Sequence, residues 1–308
     1  LAPAISSDVM TIIPFSAAVA RSRLDRRGSR DVRAPALFLS HATAALAVPG
    51  FGQALRRFGS RLRPPRGIVV VSAQWQAIRP VRVTAHRKPS QLRDFEMSGW
   101  ATSAAYPCPG SPALAEDVAS RLGSAGVPSV LDATRGLDAA AWVPAAAMFP
   151  SPRVPVVAVS LPAAAEPAEM LGMGKALAPL RREGYLLVGS GGLVHNPDRA
   201  RSGSGDGPGE PWALAFDEWA RERLDALDLE ALVAYRRLGP QAHLAAPTSV
   251  YLDPLFFVLG AQLPGDRVHP LFEGFVAGTL SLRSFVLAGR RADDHRLPDA
   301  LALPEAER

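Results

Sequence analysis

The sequence predicts an α/β protein: a single three-layer α/β/α domain around a largely parallel central sheet. Three observations carry this expectation. Short apolar runs such as "GIVVVSA" (67–73) read as strands buried on both faces, as parallel strands usually are. Amphipathic helix patterns with their own start and stop signals fall between several of those runs. The length of 308 residues and a hydrophobic fraction of 48% suffice for one sizeable core.

Taken in order, the first strand is expected over Ala36–Leu39 and the second over Gly67–Ala73, ending where Ser72, Ala73, Gln74 and Trp75 follow. Further strands are read over Val81–Ala85, Val154–Leu161 and Tyr185–Gly189. A helix should start at Ser111 as N-cap with Pro112 in its first turn. It should bury Leu114, Val118 and Leu122 along one stripe and stop at Gly123. "GKALAPLRREG" reads as one helix ending at Gly184, with Arg181 and Arg182 placed to suit its dipole. "PWALAFDEWARERL" is a longer amphipathic helix, and Asp228 should cap the next, which runs to Gly239. The domain is bounded at 33–289. Residues 1–32 are expected to be a disordered or appended extension, 290–308 a flexible tail, and 195–211 a functional or mobile loop.

Charge and composition exclude several function classes. The net charge is +5, but residues 1–33 hold six arginines against three aspartates and so carry +3 of it. Elsewhere basic and acidic residues interleave, as on solvated helix faces, so nucleic-acid binding is not expected. No apolar run reaches the roughly 18 residues of a membrane span. Met10–Ala20 is apolar but broken by Pro14 and follows no positive segment, so a secretory signal is not expected. One cysteine, Cys108, rules out an intramolecular disulfide and suits a reducing, cytoplasmic setting. "GSGG" (189–192) follows a strand but leads into "LVHN" rather than a phosphate-binding helix.

Of the six histidines, His86, His269 and His295 have no convincing partners and read as surface or core residues. His41 and His195 each follow a strand, in "PALFLSH" and "YLLVGSGGLVH". Two imidazoles at the same edge of a parallel sheet are placed to converge on one metal ion. The segments "PALFLSHA", "PPRGIVVVSAQW", "YPCPGSPALA", "GLDAAAWVP", "LRREGYLLVGSGGLVHN", "PWALAFDEW" and "PTSVYLDPLFFVLGA" occur in that order, from about Pro35 to Gly289. Together they resemble the class III extradiol ring-cleavage dioxygenases, in their DOPA-dioxygenase-like branch.

That resemblance implies O2-dependent opening of a catechol-type ring at a mononuclear ferrous ion, often replaced by zinc in crystals. It implies His41 as one metal ligand and His195 as a ligand or a group beside the metal. It also exposes three departures. Gln74 stands where a second ligand histidine belongs, Tyr251 where a further histidine belongs, and Ala139 where the family carries an acid–base histidine. A facial ferrous site needs three protein donors, and an amide oxygen and a neutral phenol are poor ones. Asp138 should brace the loop before Ala139, and His243 could reach the pocket from a loop. Asp94 matches a family Asp-Phe pair with a structural role, and Asp253, if helical, should face away from Tyr251. The reading is therefore an extradiol-dioxygenase-like protein with a degenerate site. It would be weakly active or inactive, or a partner subunit in a homo- or hetero-oligomer, binding a small aromatic ligand. The alternatives are an active enzyme with a rebuilt Fe(II) site and a different enzyme reusing the pocket.

Overall fold

The computed structural model describes residues 33–40, 48–92, 106–200 and 208–289. The extension at 1–32, the tail at 290–308, His41, Asp94 and His295 lie outside the described residues. The described elements begin with β1 (Ala36–Ser40), α1 (Pro49–Arg61), β2 (Ile68–Ala77) and β3 (Val81–Thr84). It continues through α2 (Pro112–Ser124), β4 (Ser129–Asp132), α3 (Ala139–Met148) and β5 (Val156–Pro162). Next come α4 (Pro167–Leu177), α5 (Pro179–Arg182), β6 (Leu186–Gly191) and a 3-10 turn at Pro197–Arg199. The helices α6 (Pro211–Asp225), α7 (Leu229–Val233), α8 (Tyr235–Leu238), α9 (Ala242–Ala245) and α10 (Asp253–Gly260) follow. The strands β7 (Asp266–Phe272), β8 (Phe275–Val276), β9 (Leu280–Ser281) and β10 (Ser284–Gly289) close the fold.

Eight strands form one sheet in the order β4-β3-β5-β2-β6-β1-β10-β7. Its centre, β5-β2-β6-β1, is wholly parallel. Alternation along these strands builds the layers, because successive side chains leave a strand on opposite faces. Ala36, Phe38, Val69, Val71, Val157, Val159 and Leu187 join a core shared with α2, α4, α6 and α10. Leu37, Leu39, Ile68, Val70, Val156, Ala158, Leu186 and Val188 join a second core shared with α1 and α3. Helices thus cover both faces, as the apolar runs predict.

Several local expectations shift. Strand β2 does not end at Trp75 but runs on to Ala77, and its register against β5 jumps from Ser72↔Ser160 to Gln76↔Leu161. Ala73, Gln74 and Trp75 are therefore extra residues in a bulge, a device that re-aims side chains beside sites. The single helix expected up to Gly184 is broken into α4 and α5 at Ala178, where Pro179 removes a donor. The helix capped by Asp228 likewise divides at Ala234 into α7 and α8. Two caps are as expected: at α2 Ser111 Oγ accepts from the Leu114 N–H at 3.2 Å, and at α7 Asp228 Oδ1 accepts from the Ala231 N–H at 3.0 Å. No helix among the described residues is long and apolar enough to cross a membrane.

Candidate functional site

The parallel centre brings its carboxyl ends to one edge, where ligand groups of open α/β sheets collect. Buried serines mark that edge: Ser72 lies opposite both Ser160 and Ser190, and Ser40 opposite Gly191. Ser40 also ties strand ends together. Its Oγ donates to the Ser281 carbonyl at 2.7 Å and accepts from the Leu193 N–H at 3.2 Å. The residue immediately after it is His41, outside the described residues.

His195 leaves β6 after a glycine-rich turn. Its backbone N–H donates to the Ala245 carbonyl at 2.9 Å and the residue bridges to Leu280. Its ring lies flat on Tyr251, with centroids 3.4 Å apart and planes 13° apart. Burial pushes the imidazole pKa down to about 4, so the ring is neutral at physiological pH. The glycines of "GSGG" exist for this junction rather than for a phosphate. A Cβ on Gly191 would stand 2.1 Å from the Tyr251 carbonyl and one on Gly189 2.3 Å from the Pro254 carbonyl. The Gly192 N–H donates to the Tyr251 carbonyl at 2.7 Å. Only bare backbone lets α10 and the turn before it come this close.

A second group stands on the α3 side of the same edge. Gln74, thrust out by the bulge, accepts a hydrogen bond through Oε1 from the Ala140 N–H at 3.2 Å, while its own N–H donates to Ser72 Oγ at 3.0 Å. Asp138 caps α3: its Oδ1 accepts from the Ala141 N–H at 3.1 Å and from Ser72 Oγ at 3.2 Å. Its Oδ2 is buried without a partner among the described residues, and burial raises the carboxyl pKa above its ordinary range. Ala139 opens the helix as a buried methyl group. The Arg135 guanidinium lies over the Trp75 ring at 4.8 Å, and its buried Nε has no partner among the described residues. Sequence reasoning missed Arg135, although it stands three residues before Asp138.

The structure joins His195 to Tyr251 by ring contact, and Gln74 to Asp138 through Ser72 and the first turn of α3. No hydrogen bond or ring contact links these two groups among the described residues. His243 is not on a loop. It sits on the short helix α9 with its side chain exposed, while Ala242 and Ala245 of that helix are buried. Asp253 opens α10 and is buried. Its Oδ2 accepts from Ser249 Oγ at 3.2 Å, its Oδ1 lacks a partner among the described residues, and burial pushes its pKa up to about 7. Its charged neighbours are Arg236 and Glu166, a different surrounding from that of Tyr251. Among the described residues no cluster of three or more His, Cys, Asp or Glu forms. Among the described residues His86 accepts from the Lys88 N–H and His269 contacts the Ala288 carbonyl.

Comparison with known proteins places these features in a family. Residues 36–273 match the model of the catalytic LigB subunit of aromatic ring-opening dioxygenase. The chain is 35% identical to a 4,5-DOPA dioxygenase extradiol of Escherichia coli (strain K12), over 82% of this chain and 94% of that protein. It is 31% identical to one of Beta vulgaris, over 84% of this chain and 98% of that protein. Among solved structures, the uncharacterized protein JW3007 from Escherichia coli K12 superposes with a TM-score of 0.69 at 32% identity, covering 83% of this chain and 100% of that one.

Proposed function

Because the chain belongs to the LigB family of aromatic ring-opening dioxygenases, we propose that it is an extradiol-dioxygenase-like protein that holds a catechol-type aromatic ligand but lacks a competent iron site. One observation carries this reading: the flat stack of Tyr251 on His195. An imidazole binds a metal in its own plane, at roughly 2.1 Å from nitrogen. A phenol ring stacked at 3.4 Å keeps its oxygen about one ring thickness off that plane. The two side chains therefore do not reach one ion together. Gln74 does not fill the gap, since its only oxygen donor already faces the Ala140 N–H. With His41 and His195 as the remaining imidazoles, the donors fall short of the three a facial ferrous site requires. The residues present do not fit the family's iron.

The acid–base side points the same way. Ala139 has no proton to give, and loss of a positioned acid–base group costs roughly 10²–10⁴ in rate. What persists is a neutral imidazole, a stacked phenol, an amide and a buried carboxyl at the strand ends. Those groups hold and orient an aromatic ring without opening it. In this reading the chain serves as a ligand-binding homologue or as the partner subunit of a homo- or hetero-oligomer. The lone buried thiol of Cys108 suits a reducing compartment, and we assign the chain to the cytoplasm on that ground.

The test is anaerobic reconstitution with Fe(II), followed by metal analysis and oxygen uptake with DOPA and catechol. The expected result is substoichiometric iron and ring opening at least ~10²-fold below that of an active relative, with catechol binding retained in calorimetry. Stoichiometric iron with rapid ring opening overturns the reading.

A further inference from the structure

The motif "PWALAFDEW" puts Asp217 on α6, in a chain of hydrogen bonds that reaches the segments carrying both imidazoles. Asp217 is buried and uses both oxygens. Oδ1 accepts from Ser281 Oγ at 2.6 Å, and Oδ2 accepts from Arg283 through Nε at 2.9 Å and Nη2 at 2.6 Å. Ser281 Oγ in turn accepts from the Arg283 N–H at 3.1 Å, so the carboxylate fixes Ser281 both directly and through Arg283. The backbone of Ser281 faces the site. Its carbonyl accepts at 2.7 Å from Ser40 Oγ, on the residue before His41. Its N–H donates at 3.0 Å to the carbonyl of Val194, the residue before His195. Beside it the Asn196 N–H donates to the Thr279 carbonyl at 3.3 Å, and His195 bridges to Leu280. Residues 279–281 thus hold both arms. This stretch has little packing of its own: β8 and β9 are two residues each, and their local core is Val276, Leu280 and Leu282 with a few half-buried neighbours. A lone two-stranded pair is marginal in water, so its place is set by the charge-assisted bonds to α6, which belong to the strong class.

We propose that Asp217 is a positioning residue for the site. Through Ser281 it sets the spacing between the strand end before His41 and the turn that carries His195, and with it the stack of His195 on Tyr251. The consequence for ligand affinity rests on the reading that this edge binds an aromatic ligand; the consequence for the His195 ring does not. Once Ser281 is released, the turn at His195 slides relative to Tyr251, and the Tyr251 ring current no longer falls on the imidazole as it does at 3.4 Å.

The experiment compares Asp217→Asn with the wild-type full chain by imidazole proton–carbon NMR and by calorimetric titration with catechol. Asparagine keeps the shape but offers one acceptor oxygen, so it does not hold Ser281 and Arg283 as the carboxylate does. The His195 Cε1–H signal, identified by its loss in His195→Gln, is expected to move while those of His86 and His269 stay. Catechol affinity is expected to fall ~3–10-fold, the span of one hydrogen bond. Ser281→Ala cuts the link while leaving the backbone bonds, and serves as the second variant should the first fail to fold, with both effects in the same direction. The double variant should lose no more affinity than the weaker-binding single one, because coupled neighbours are not additive. Tyr106→Phe removes a buried hydrogen bond of 2.7 Å to the Phe149 carbonyl, away from the closing strands, and is the stability control. Its His195 signal should stay in place. An unmoved His195 signal in both variants, an equal displacement in Tyr106→Phe, or additive losses in the double variant overturns the proposal. A wild-type chain that binds no catechol defeats the ligand-binding reading alone, and the His195 signal then decides the proposal.

Discussion

His195 and Asp253 are both driven toward neutrality by burial, with opposite consequences for stability. The His195 pKa falls from 6.5 to about 4, so between those values the unfolded chain takes up a proton that the folded chain refuses. Its contribution is fully present above pH 6.5 and is lost as pH falls toward 4. The Asp253 pKa rises from 3.8 to about 7, so the folded chain retains a proton the unfolded chain releases. That contribution is present below 3.8 and is lost as pH rises through 7. Asp253→Asn is therefore expected to melt higher than the wild-type chain above pH 7, with the difference vanishing below about pH 4. His195→Gln should flatten the loss of stability between pH 6.5 and 4. Thermal unfolding across pH 3.5–8.5, monitored by circular dichroism, checks both signs, and an Asp253→Asn chain destabilised at pH 8 refutes the first. Tyr251 and Gln74 are readable in the sequence as candidate site residues. Their partners, His195 and the Ala140 N–H, are not, because a residue type does not state which way its rotamer turns.

Glycines at element crossings decide how closely the layers approach. On α4, a Cβ at Gly174 would lie 2.0 Å from the Phe257 carbonyl, and on α10 a Cβ at Gly260 would lie 2.1 Å from the Leu171 carbonyl. The two helices thus cross almost backbone to backbone, each through its own glycine. Gly123, inside α2, has nothing within 4 Å of where a Cβ would stand. Gly260→Ala should force the crossing apart and cost about 1–3 kcal/mol, as overpacking does. Gly123→Ala should stabilise by roughly 0.4–1 kcal/mol through the unfolded chain and helix propensity. Urea denaturation of the two variants separates these outcomes, and a neutral Gly260→Ala refutes the close crossing. The same spelling, glycine in a helical run, carries opposite meanings at 123 and 260, and nothing local distinguishes them.

Across the whole molecule, one buried cation gathers distant parts of the chain. Arg181 is fully buried and donates to Asp266 Oδ2 at 2.6 Å, the Ala261 carbonyl at 2.7 Å, the Ala34 carbonyl at 2.9 Å and the Leu287 carbonyl at 3.0 Å. It holds the approach to β1, the end of α10, the start of β7 and the edge of β10 in a single contact set. In the sequence it reads as a helix-end arginine suited to a dipole, since its partners lie 80 to 147 residues away. Arg181→Met strands the Asp266 carboxylate and three carbonyls, and should cost about 3–5 kcal/mol. Equilibrium denaturation measures it, and a loss under 1 kcal/mol contradicts the role. A comparable clamp near the site joins α6 to the closing strands, where Asp217 accepts from Arg283 and from Ser281 Oγ.

The sequence by itself determined the parallel centre of the sheet, because Val69–Val71, Val156–Val159 and Leu186–Val188 are apolar on both faces and only two helical layers can cover them. It also determined the caps at Ser111 and Asp228, which are local hydrogen bonds between near neighbours. The ordered motifs carried the family. Tertiary structure alone decided the flanks. β4 and β7 carry mixed polar and apolar residues, and the apolar run of β10 does not state its neighbour, so their pairing, and the antiparallel sense of β10 against β1, depends on partners far along the chain. It alone decided the bulge at 73–75, which arises where β2 loses register with β5. It alone turned Tyr251 flat onto His195 and latched Gln74 to α3, because such contacts form only once strand ends and helix starts from separate stretches of chain meet at one edge.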